Sequence, residues 1–490
     1  MENLTSKVAT ATKWSAMAEV LGKLIAPVST MVLARVLTPE AFGVVATLTM
    51  IISFAEIFTD AGFQRYIIQH EFADEKDYEE STNVAFWSNL IMSLMIWGVI
   101  SLFAAPLAAL VGNPGLGHIL IVSCVSIPIA ALSSIQMAVF KRKLEFKALF
   151  YRRLVAVIIP LVVTIPLALW MRSYWALVIG TIVVNLSNAL ILTLQSPWKP
   201  KLYYNRKKLR SMISFSVWSM FDAILIWATS YIEIFFIGVM MSAYYLGLYK
   251  TSISTVGQFT SLITAAILPV IMPTLSLIQN DHAAMREMLL KLQKYVSVLL
   301  LPIGFGIFMF SKFVTYILLG NQWDEAVAFI GIWALMEVVT IVFSRFCSNI
   351  YPAIGKPKLS VAVQILHLVV LIPAIFISIN YGFTVFFYTR SLIRLHLVIV
   401  NMAFAYWCIR MSPYKMILNV MPEFLACIVM CYVASRLLTM NDGIEISIIW
   451  IFICAGVYLC ILLLFKKERA IINLMLAKLL IPIKLRLRIK

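Results

Sequence analysis

The sequence predicts an all-α polytopic membrane protein with about fourteen transmembrane helices, and three observations carry this prediction. Of the 490 residues, 62% are hydrophobic and 13% are charged, whereas a soluble domain is roughly 45–50% apolar and about 25% charged. The apolar residues form long runs, enough for some fourteen spans at roughly 20 residues each. Most of the Lys and Arg residues lie in alternate interruptions between these runs. A soluble globule, a disordered chain and a disulfide-stapled secreted domain are therefore excluded.

The apolar runs place the predicted helices in order along the chain. They lie at about 10–36, 40–63, 83–111, 117–140, 148–170, 174–194, 212–240, 245–278, 294–318, 326–352, 359–379, 383–408, 415–438 and 445–465. The first is read as a retained helix because Lys13, Glu19 and Lys23 interrupt it and no cleavage site follows. The seven cysteines lie in or beside apolar runs without a CxxC pair, so neither a disulfide framework nor a metal site is predicted.

The distribution of basic residues predicts the topology. Thirty of the 40 Lys and Arg residues lie in one set of alternating loops, whereas the opposite set holds only Arg172. Basic residues favour the cytoplasmic side, so both termini are expected in the cytoplasm. The basic loops that give the chain its net charge of +17 are then expected to face anionic lipid, and nucleic-acid binding is not expected. The opposite loops are too short to fold into a catalytic domain, which disfavours a membrane glycosyltransferase.

The chain also repeats itself. Two Trp-Ser pairs, at Trp14 and Trp218, each precede a glycine by 29 residues, at Gly43 and Gly247. Two later pairs of landmarks recur in the same order, namely Gly112-Asn113 with Gly320-Asn321 and Lys141–Leu144 with Lys356–Leu359. Each copy comprises six helices, and because six is an even number the second copy has the same orientation in the membrane as the first. Such a parallel repeat is an architecture of alternating-access transporters. The predicted divisions are an N-lobe (1–210), a C-lobe (211–410), two added helices (411–465) and a basic amphipathic cytoplasmic tail (466–490).

Four segments of the first half of the chain form a recognisable series: ARVLTPEAFGVVA (34–46), FTDAGFQRYIIQ (58–69), TNVAFWSNL (82–90) and KRKLEFKALFYRR (141–153). In this order they resemble the polysaccharide-transporter branch of the multidrug/oligosaccharidyl-lipid/polysaccharide (MOP) exporter superfamily, and specifically Wzx-type flippases. The resemblance implies a two-lobed transporter with a central cavity lined largely by helices 1, 2, 7 and 8. It also implies an undecaprenyl-diphosphate-linked sugar repeat unit as substrate, moved across the bacterial inner membrane for O-antigen, capsule or exopolysaccharide export.

Charged residues inside predicted spans are the candidate site, since each costs roughly 2.5–3.5 kcal/mol to insert. Lys23 and Lys250 are predicted to meet the substrate diphosphate, whose charges need compensation in a medium of low dielectric. The alternative for Lys23 is an intrahelical pair with Glu19, four residues earlier. Arg35, at the outer end of helix 1, is a third substrate-binding candidate, although snorkelling to the interface is its other interpretation.

Carboxylates on helices 2 and 7 are candidates for ion coupling or gating. Asp222 and Glu233 share one face of a helix, about 16 Å apart, and could bind coupling protons or sodium ions. The alternative is a structural pairing with a buried base. Glu56 and Asp60 share a face near the cytoplasmic end of helix 2, where capping or gating by an ion pair is favoured over ion coupling.

The second predicted lobe holds a further set of charges. Arg390 and Arg394 share a face of helix 12, and Glu337, Arg345 and Glu423 lie on helices 10 and 13. A buried ion-pair cluster is the favoured interpretation, with guidance of the lipid diphosphate as the alternative. Two isolated histidines, His367 and His396, are interpreted as interior hydrogen-bonding residues.

Two peripheral segments are predicted to meet the membrane surface. Residues 283–294 place apolar side chains at helical spacing, which is typical of a helix lying on the bilayer. The tail from 466 interleaves Leu and Ile with Lys and Arg, which suits anionic lipid of the inner leaflet.

The leading functional hypothesis is a non-enzymatic flippase that works by alternating access. The chain contains no GxxxxGK[ST] loop, so no cofactor is expected and the driving force would be a proton, sodium or substrate gradient. Besides the glycan lipid, the expected partners are membrane lipids and a polysaccharide polymerase with its chain-length regulator. The alternative is a MATE-like antiporter for organic cations, which would favour a carboxylate-rich cavity.

Overall fold

The computed structural model describes the backbone of residues 2–60, 62–356 and 358–473. For some residues within these ranges it describes the backbone but not the side chain: 2–13, 15, 16, 18, 20, 60, 214–219, 221, 222, 265–270, 272 and 273. Every regular element in these ranges is helical. The chain divides into two compact units, unit 1 (Met1–Thr251) and unit 2 (Ser252–Lys490).

Unit 1 is built from eleven complete α-helices, a π-helical turn and the start of a twelfth helix. They are α1 (Glu2–Val36), α2 (Pro39–Asp60), α3 (Phe63–Gln69), α4 (Glu75–Leu102), α5 (Ala104–Leu110), α6 (Gly117–Cys124), α7 (Ser126–Arg142), α8 (Phe146–Ile159), the π-helix Pro160–Thr164, α9 (Ile165–Met171), α10 (Trp175–Gln195), α11 (Arg206–Met240) and α12 (Ala243–Leu277). Helix α11 packs against α2, α3 and α4, so by its contacts it belongs with unit 1.

Unit 2 contains the rest of α12 and a second series of helices. They are α13 (His282–Met309), α14 (Ser311–Leu318), the 3₁₀-helix Asn321–Trp323, α15 (Ala326–Thr340), the π-helix Ile341–Arg345, α16 (Phe346–Ser348), α17 (Ile350–Ala353), α18 (Lys358–Ile379), α19 (Phe383–Leu392), α20 (Arg394–Ile409), α21 (Pro413–Asn419), α22 (Met421–Met440) and α23 (Ile444–Leu463). Large buried side chains such as Trp323, Phe346 and Tyr351 fill its interior.

Twelve helical segments of the described chain are long and apolar enough to cross a membrane. They are Pro39–Thr59, Glu75–Leu102, Gly117–Arg142, Phe146–Met171, Trp175–Gln195, Ala223–Met240, His282–Met309, Ala326–Ala353, Lys358–Ile379, Phe383–Ile409, Met421–Met440 and Ile444–Leu463. The all-helical, multi-pass fold is therefore confirmed. The count of fourteen stays a prediction, because α1 and α12, each 35 residues long, are not among these twelve.

Several helix boundaries differ from the predicted ones for identifiable reasons. Helix α4 begins eight residues early, at Glu75, because the Asp74 side chain accepts a hydrogen bond from the Asp77 amide at 2.6 Å and caps the helix. The predicted helix 148–170 contains the π-turn that starts at Pro160, since proline removes a backbone donor and displaces the local hydrogen-bond pattern.

The predicted surface helix 283–294 is wrong as a separate element. It forms the first turns of α13, which continues to Met309. Its apolar face is fully buried at Met285 and Leu289 in the core of unit 2. An amphipathic period therefore marks a face that packs on protein here, rather than one that lies on lipid.

Two glycines of the predicted repeat meet each other inside unit 1. A Cβ on Gly43 of α2 would lie 1.8 Å from the carbonyl oxygen of Ala243, and one on Gly247 of α12 would lie 1.8 Å from that of Pro39. Only glycine permits so close a crossing of two helix backbones. These positions hold the start of α12 against the start of α2.

Candidate functional site

A polar cavity of about 520 Å³ opens inside unit 1. It is bordered by α2, α3, α4, α7, α8, α10 and α11. Its polar lining consists of Ser53, Glu56, Thr59, Gln64, Arg65, Asn89, Ser133, Ser134, Arg152, Asn185 and Asn188. Polar groups within membrane-spanning helices are costly and mark substrate or ion pathways, so this cavity is the candidate functional site.

Arg152 brings a guanidinium to the cavity from α8. Its side chain is half-buried, and its Nη1 donates only a long contact, at 3.5 Å, to the sulfur of Met137. Its Nε is buried without a hydrogen-bond partner. The next residue, Arg153, lies instead beside Gly22 of α1. A guanidinium offers five N–H donors in a planar fork that matches phosphate oxygens, so Arg152 is suited to an anionic ligand.

Arg65 reaches the same cavity from the short helix α3. The chain turns into α3 at Gly62, whose φ of 74° lies in the left-handed region. Phe63, Tyr66 and Ile67 bury the opposite face of the helix. Arg65 is exposed, and no acidic side chain pairs with it in the part of the chain that the structure describes.

Arg142 holds α3, and hence Arg65, in place. Its Nη1 donates to three carbonyl oxygens at the end of α3, those of Ile67 at 2.8 Å, Ile68 at 3.2 Å and His70 at 2.9 Å. Its guanidinium also lies 4.7 Å from the ring centre of Phe72. The unpaired carbonyls of a helix C-terminus are thus satisfied by one cation. This role of Arg142 was not predicted from the sequence.

Amide and hydroxyl groups form another wall of the cavity. The Nδ2 of Asn89 donates to Ser134 Oγ at 3.0 Å, whereas Asn89 Oδ1 is buried without a partner. Asn188 Oδ1 is also buried without a partner. Because an unsatisfied buried acceptor costs about 1–3 kcal/mol, these oxygens are suited to a ligand that supplies hydroxyl donors.

The residues predicted on helices 1 and 2 are placed as follows. Glu56 is exposed and lines the cavity; the side chain of Asp60 lies outside the described residues. Lys23 Nζ lies 3.3 Å from Glu19 Oε1, so the intrahelical pair left open by the sequence does form. Arg35 is exposed near the end of α1.

The predicted helix 7 and 8 residues form a second polar group within unit 1. Glu233 is 4% exposed and accepts a hydrogen bond from the hydroxyl of Tyr249. The ammonium of Lys250 lies 5.7 Å from the ring centre of Tyr231, a cation–π distance. Asp222 lies on the same helix as Glu233, but its side chain is outside the described residues.

The charges of unit 2 separate into two groups. Glu337 pairs with Arg345 at 2.9 Å and also with Arg394. The guanidiniums of Arg390 and Arg394 lie 5.4 and 4.4 Å from the ring centre of Trp333. Most of the predicted cluster is therefore brought together around one glutamate.

The remaining unit 2 residues depart from the sequence analysis. Glu423 is not part of this cluster: it pairs with Lys294 at 3.0 Å. His367 and His396 are not isolated, since their rings stack with centres 5.8 Å apart. Their Nδ1 atoms have no hydrogen-bond partner in the described chain, so the expectation of satisfied interior histidines is not met there.

Arg65, Arg152 and Asn188 were not among the site residues predicted from the sequence. Both arginines were counted among the basic residues of cytoplasmic loops. The signal that could have found them is positional: Arg65 lies three residues after Gly62, and Arg152 lies within the first turns of the fifth predicted span, 148–170.

A family model matches most of the chain. The model is described as "polysaccharide biosynthesis protein", and it matches residues 32–328. This range includes the whole lining of the unit 1 cavity.

Two curated relatives carry names from polysaccharide synthesis. The succinoglycan biosynthesis transport protein ExoT of Rhizobium meliloti is 26% identical over 322 residues, which are 64% of this chain and 63% of that protein. The chain thus spans slightly less than two thirds of the length of that relative. The lipopolysaccharide biosynthesis protein WzxC of Escherichia coli K12 is 21% identical, covering 77% of this chain and 76% of that protein.

Solved structures show the same fold. The lipid II flippase MurJ, in an inward closed conformation, aligns with a TM-score of 0.73 at 15% identity over 93% of this chain and 99% of that one. An inward-facing multidrug-resistance MATE transporter of the MOP superfamily aligns with a TM-score of 0.61 at 13% identity, over 79% and 94% of the two chains. These likenesses show a fold shared with both solved transporters. The chain therefore belongs to the polysaccharide biosynthesis protein family, as the motifs between residues 34 and 153 predict.

Proposed function

We propose that this transporter is a flippase for an undecaprenyl-diphosphate-linked oligosaccharide repeat unit. It moves the unit from the cytoplasmic to the periplasmic leaflet of the bacterial inner membrane, with both of its own termini in the cytoplasm. The names of the relatives, which refer to succinoglycan and lipopolysaccharide synthesis, and the fold shared with a lipid II flippase support the proposal. Its expected partners remain a polysaccharide polymerase and a chain-length regulator.

The observation that carries the proposal is the pair of guanidiniums in one polar cavity. Arg65 and Arg152 line the same space of about 520 Å³, and the Nε of Arg152 has no protein acceptor. A diphosphate bears two to three negative charges, and moving them through a medium of low dielectric requires compensation. Hydrogen bonds between charged partners contribute about 1.5–3 kcal/mol each.

The amide wall of the cavity suits the sugar part of the same substrate. Asn89 and Asn188 each present an unsatisfied carbonyl oxygen, and sugar hydroxyls are donors of the kind these oxygens need. In this proposal the cavity binds the junction between diphosphate and glycan, while the polyprenyl chain remains in the bilayer.

The site residues expected from the sequence keep their roles as further proposals. Lys23, Lys250 and Arg35 provide additional positive charge along the path of the diphosphate. Glu233, with Asp222, binds the coupling proton or sodium ion; the burial of Glu233 and its hydrogen bond from Tyr249 support this assignment.

The test is export in cells that lack this gene and are complemented with variants. Arg65→Gln and Arg152→Gln are each expected to lower the rate of repeat-unit translocation by about 10- to 150-fold, the equivalent of one charged hydrogen bond. Undecaprenyl-linked repeat units should accumulate on the cytoplasmic side, and surface polysaccharide should fall in proportion. Extraction of the lipid-linked intermediate measures the first quantity directly.

A matched control changes two arginines that lie outside the cavity. Arg206→Gln and Arg210→Gln remove the same charge from exposed positions of α11 in unit 1 and should leave export at the wild-type level. Wild-type export by the Arg65→Gln/Arg152→Gln double variant, at normal membrane abundance, would refute the site.

The antiporter alternative makes a different prediction. Two guanidiniums in the cavity disfavour an organic cation as the ligand, since like charges repel. A MATE-like antiporter would confer resistance to cationic drugs on overexpression, and neutralising Asp222 would abolish the resistance. Drug resistance without any accumulation of lipid-linked glycan in the deletion strain would replace the flippase proposal.

A further inference from the structure

Unit 2 contains a second cavity, of about 610 Å³, at one end of three membrane-spanning segments. It is bordered by the beginning of α13, by the end of α21 and the first turn of α22, and by the segment 465–471 that follows α23. The starts of two spans and the end of a third lie on the same side of the membrane when the spans between them alternate. By the distribution of basic residues, this side is the cytoplasmic one.

A buried ion-pair network borders the cavity, since Lys294 and Glu468 both line it. Lys294 Nζ lies 3.0 Å from Glu423 Oε2 and 2.6 Å from the carbonyl oxygen of Asn419. It also pairs with Glu468. Both carboxylates are nearly inaccessible, with side chains 0% and 4% exposed. The network therefore fixes the segment after α23 against α13 and α22, because separating buried partners would leave a charge without compensation.

Three lysines at the rim of the cavity take no part in this network. Lys291, Lys466 and Lys467 are exposed and line the cavity, and among the described residues none of them forms an ion pair with a carboxylate. Burial of Glu468 brings its neighbours Lys466 and Lys467 to the same space as Lys291. Like charges held together in this way favour an anionic ligand.

Apart from Tyr295, the remaining lining is apolar. Leu290, Leu418, Pro422, Phe465 and Ile471 contribute to the wall. A volume of this size lies within the usual range of ligand cavities, about 300–1,000 Å³. A cationic rim above an apolar wall at the membrane surface is complementary to a phospholipid, whose phosphate headgroup is anionic and whose acyl chains are apolar.

We propose that this cavity is a binding site for one anionic phospholipid of the cytoplasmic leaflet, whose phosphate is held by Lys291, Lys466 and Lys467. The site is separate from the arginine-lined cavity of unit 1 and does not depend on the proposed substrate. Its occupant is a bulk membrane lipid, and occupancy couples the segment after α23 to the surface charge of the membrane.

The experiment measures lipid binding to the purified full-length protein by native mass spectrometry. The protein in neutral detergent is titrated with phosphatidylglycerol and, separately, with phosphatidylcholine. At about 1 kcal/mol for each lysine near the lipid phosphate, Lys466→Gln/Lys467→Gln should weaken phosphatidylglycerol binding about 30-fold. Phosphatidylcholine binding should not change. The variant Lys466→Arg/Lys467→Arg, which keeps the charge, should bind like the wild type.

The matched control is Lys356→Gln/Lys358→Gln, which removes two exposed lysines of unit 2 that do not line the cavity and should leave binding unchanged. An equal loss in this control, or equal affinity of the wild type for both phospholipids, would overturn the proposal. Displacement of phosphatidylglycerol by millimolar inorganic phosphate would assign the site to free phosphate instead. Displacement by undecaprenyl diphosphate at much lower concentration would assign it to the transported lipid.

Discussion

Replacing Gly43 by alanine is expected to force α2 and the start of α12 apart. The new Cβ would lie 1.8 Å from the carbonyl oxygen of Ala243, whereas ordinary contacts of this kind begin near 3.4 Å. The two backbones must therefore separate by about 1.5 Å, because a main-chain oxygen within a helix cannot rotate away.

The energetic cost follows from the weaker packing that this separation leaves between the two helices. A gap of about 0.5–1 Å already forfeits a quarter to a half of each dispersion attraction along the crossing, and overpacking usually costs about 1–3 kcal/mol. Because the obstacle is backbone, we expect a cost at the upper end, about 3 kcal/mol. Gly247→Ala should cost a similar amount, since its Cβ would meet the oxygen of Pro39 at 1.8 Å.

The assay is thermal unfolding of the full-length protein in detergent, followed by tryptophan fluorescence. Gly98→Ala and Gly456→Ala are matched controls, because an added Cβ at either position meets no atom within 4 Å. In these helical positions alanine should be neutral or stabilise by about 0.5–1 kcal/mol. The Gly43→Ala/Gly247→Ala double variant should cost less than the sum of its parts, since both changes separate the same crossing.

Gly43→Ala with an unfolding midpoint equal to that of Gly98→Ala would refute the close crossing. The close crossing would also be contradicted if the costs of the two substitutions simply added in the double variant. Simple addition would mean that the two substitutions do not act through the same separation of α2 and α12.

Three further predictions concern other contacts. Gly304→Ala should destabilise the protein by about 1–3 kcal/mol, because its Cβ would lie 2.3 Å from Val338 Cγ2. Adding Val338→Ala should recover most of this loss of thermal stability, which a backbone clash would not allow. Arg142→Lys should increase amide hydrogen exchange across residues 62–72, because one ammonium cannot reproduce a guanidinium that binds three carbonyls and a ring; unchanged exchange would argue against this anchor. The hydrogen bond from Lys312 lowers the pKa of Asp442, so its stabilisation is present above the unfolded pKa of Asp442 and is lost as pH falls through the lowered folded value. The difference in unfolding midpoint between wild type and Asp442→Asn should therefore shrink in acid, and a difference that grew in acid would contradict the pairing.

The fold class was predictable because a bilayer imposes it on composition. Long apolar runs and basic residues on alternate sides specify a helical multi-pass protein without any knowledge of packing. Helix ends were less predictable where charged residues belong to the helix. The helices that begin at Glu75 and His282 were predicted as spans starting only at residues 83 and 294, because their first turns are polar and their starts are marked by side-chain caps at Asp74 and Asp281.

The site was only partly predictable, since its geometry depends on contacts between distant residues. The pairing of Glu19 with Lys23 follows from their spacing on one helix. The pairing of Lys294 with Glu423 spans 129 residues and leaves no local pattern. Likewise, whether Arg152 or Arg153 enters the unit 1 cavity depends on the rotation of α8 about its axis, which the basic run at 141–153 does not specify.

The buried network around Lys294 also has a consequence for biosynthesis. Lys294 emerges from the ribosome 129 residues before Glu423, which takes roughly 6–26 s at the usual elongation rate of about 5–20 residues per second. During this interval α13 carries a cation whose acidic partners have not been translated, at a cost of roughly 2.5–3.5 kcal/mol if it entered the bilayer core alone. Helix α13 is therefore expected to pack in its final position only after the last two spans and Glu468 have been synthesised. Truncated chains that lack them should remain exposed to quality-control proteases.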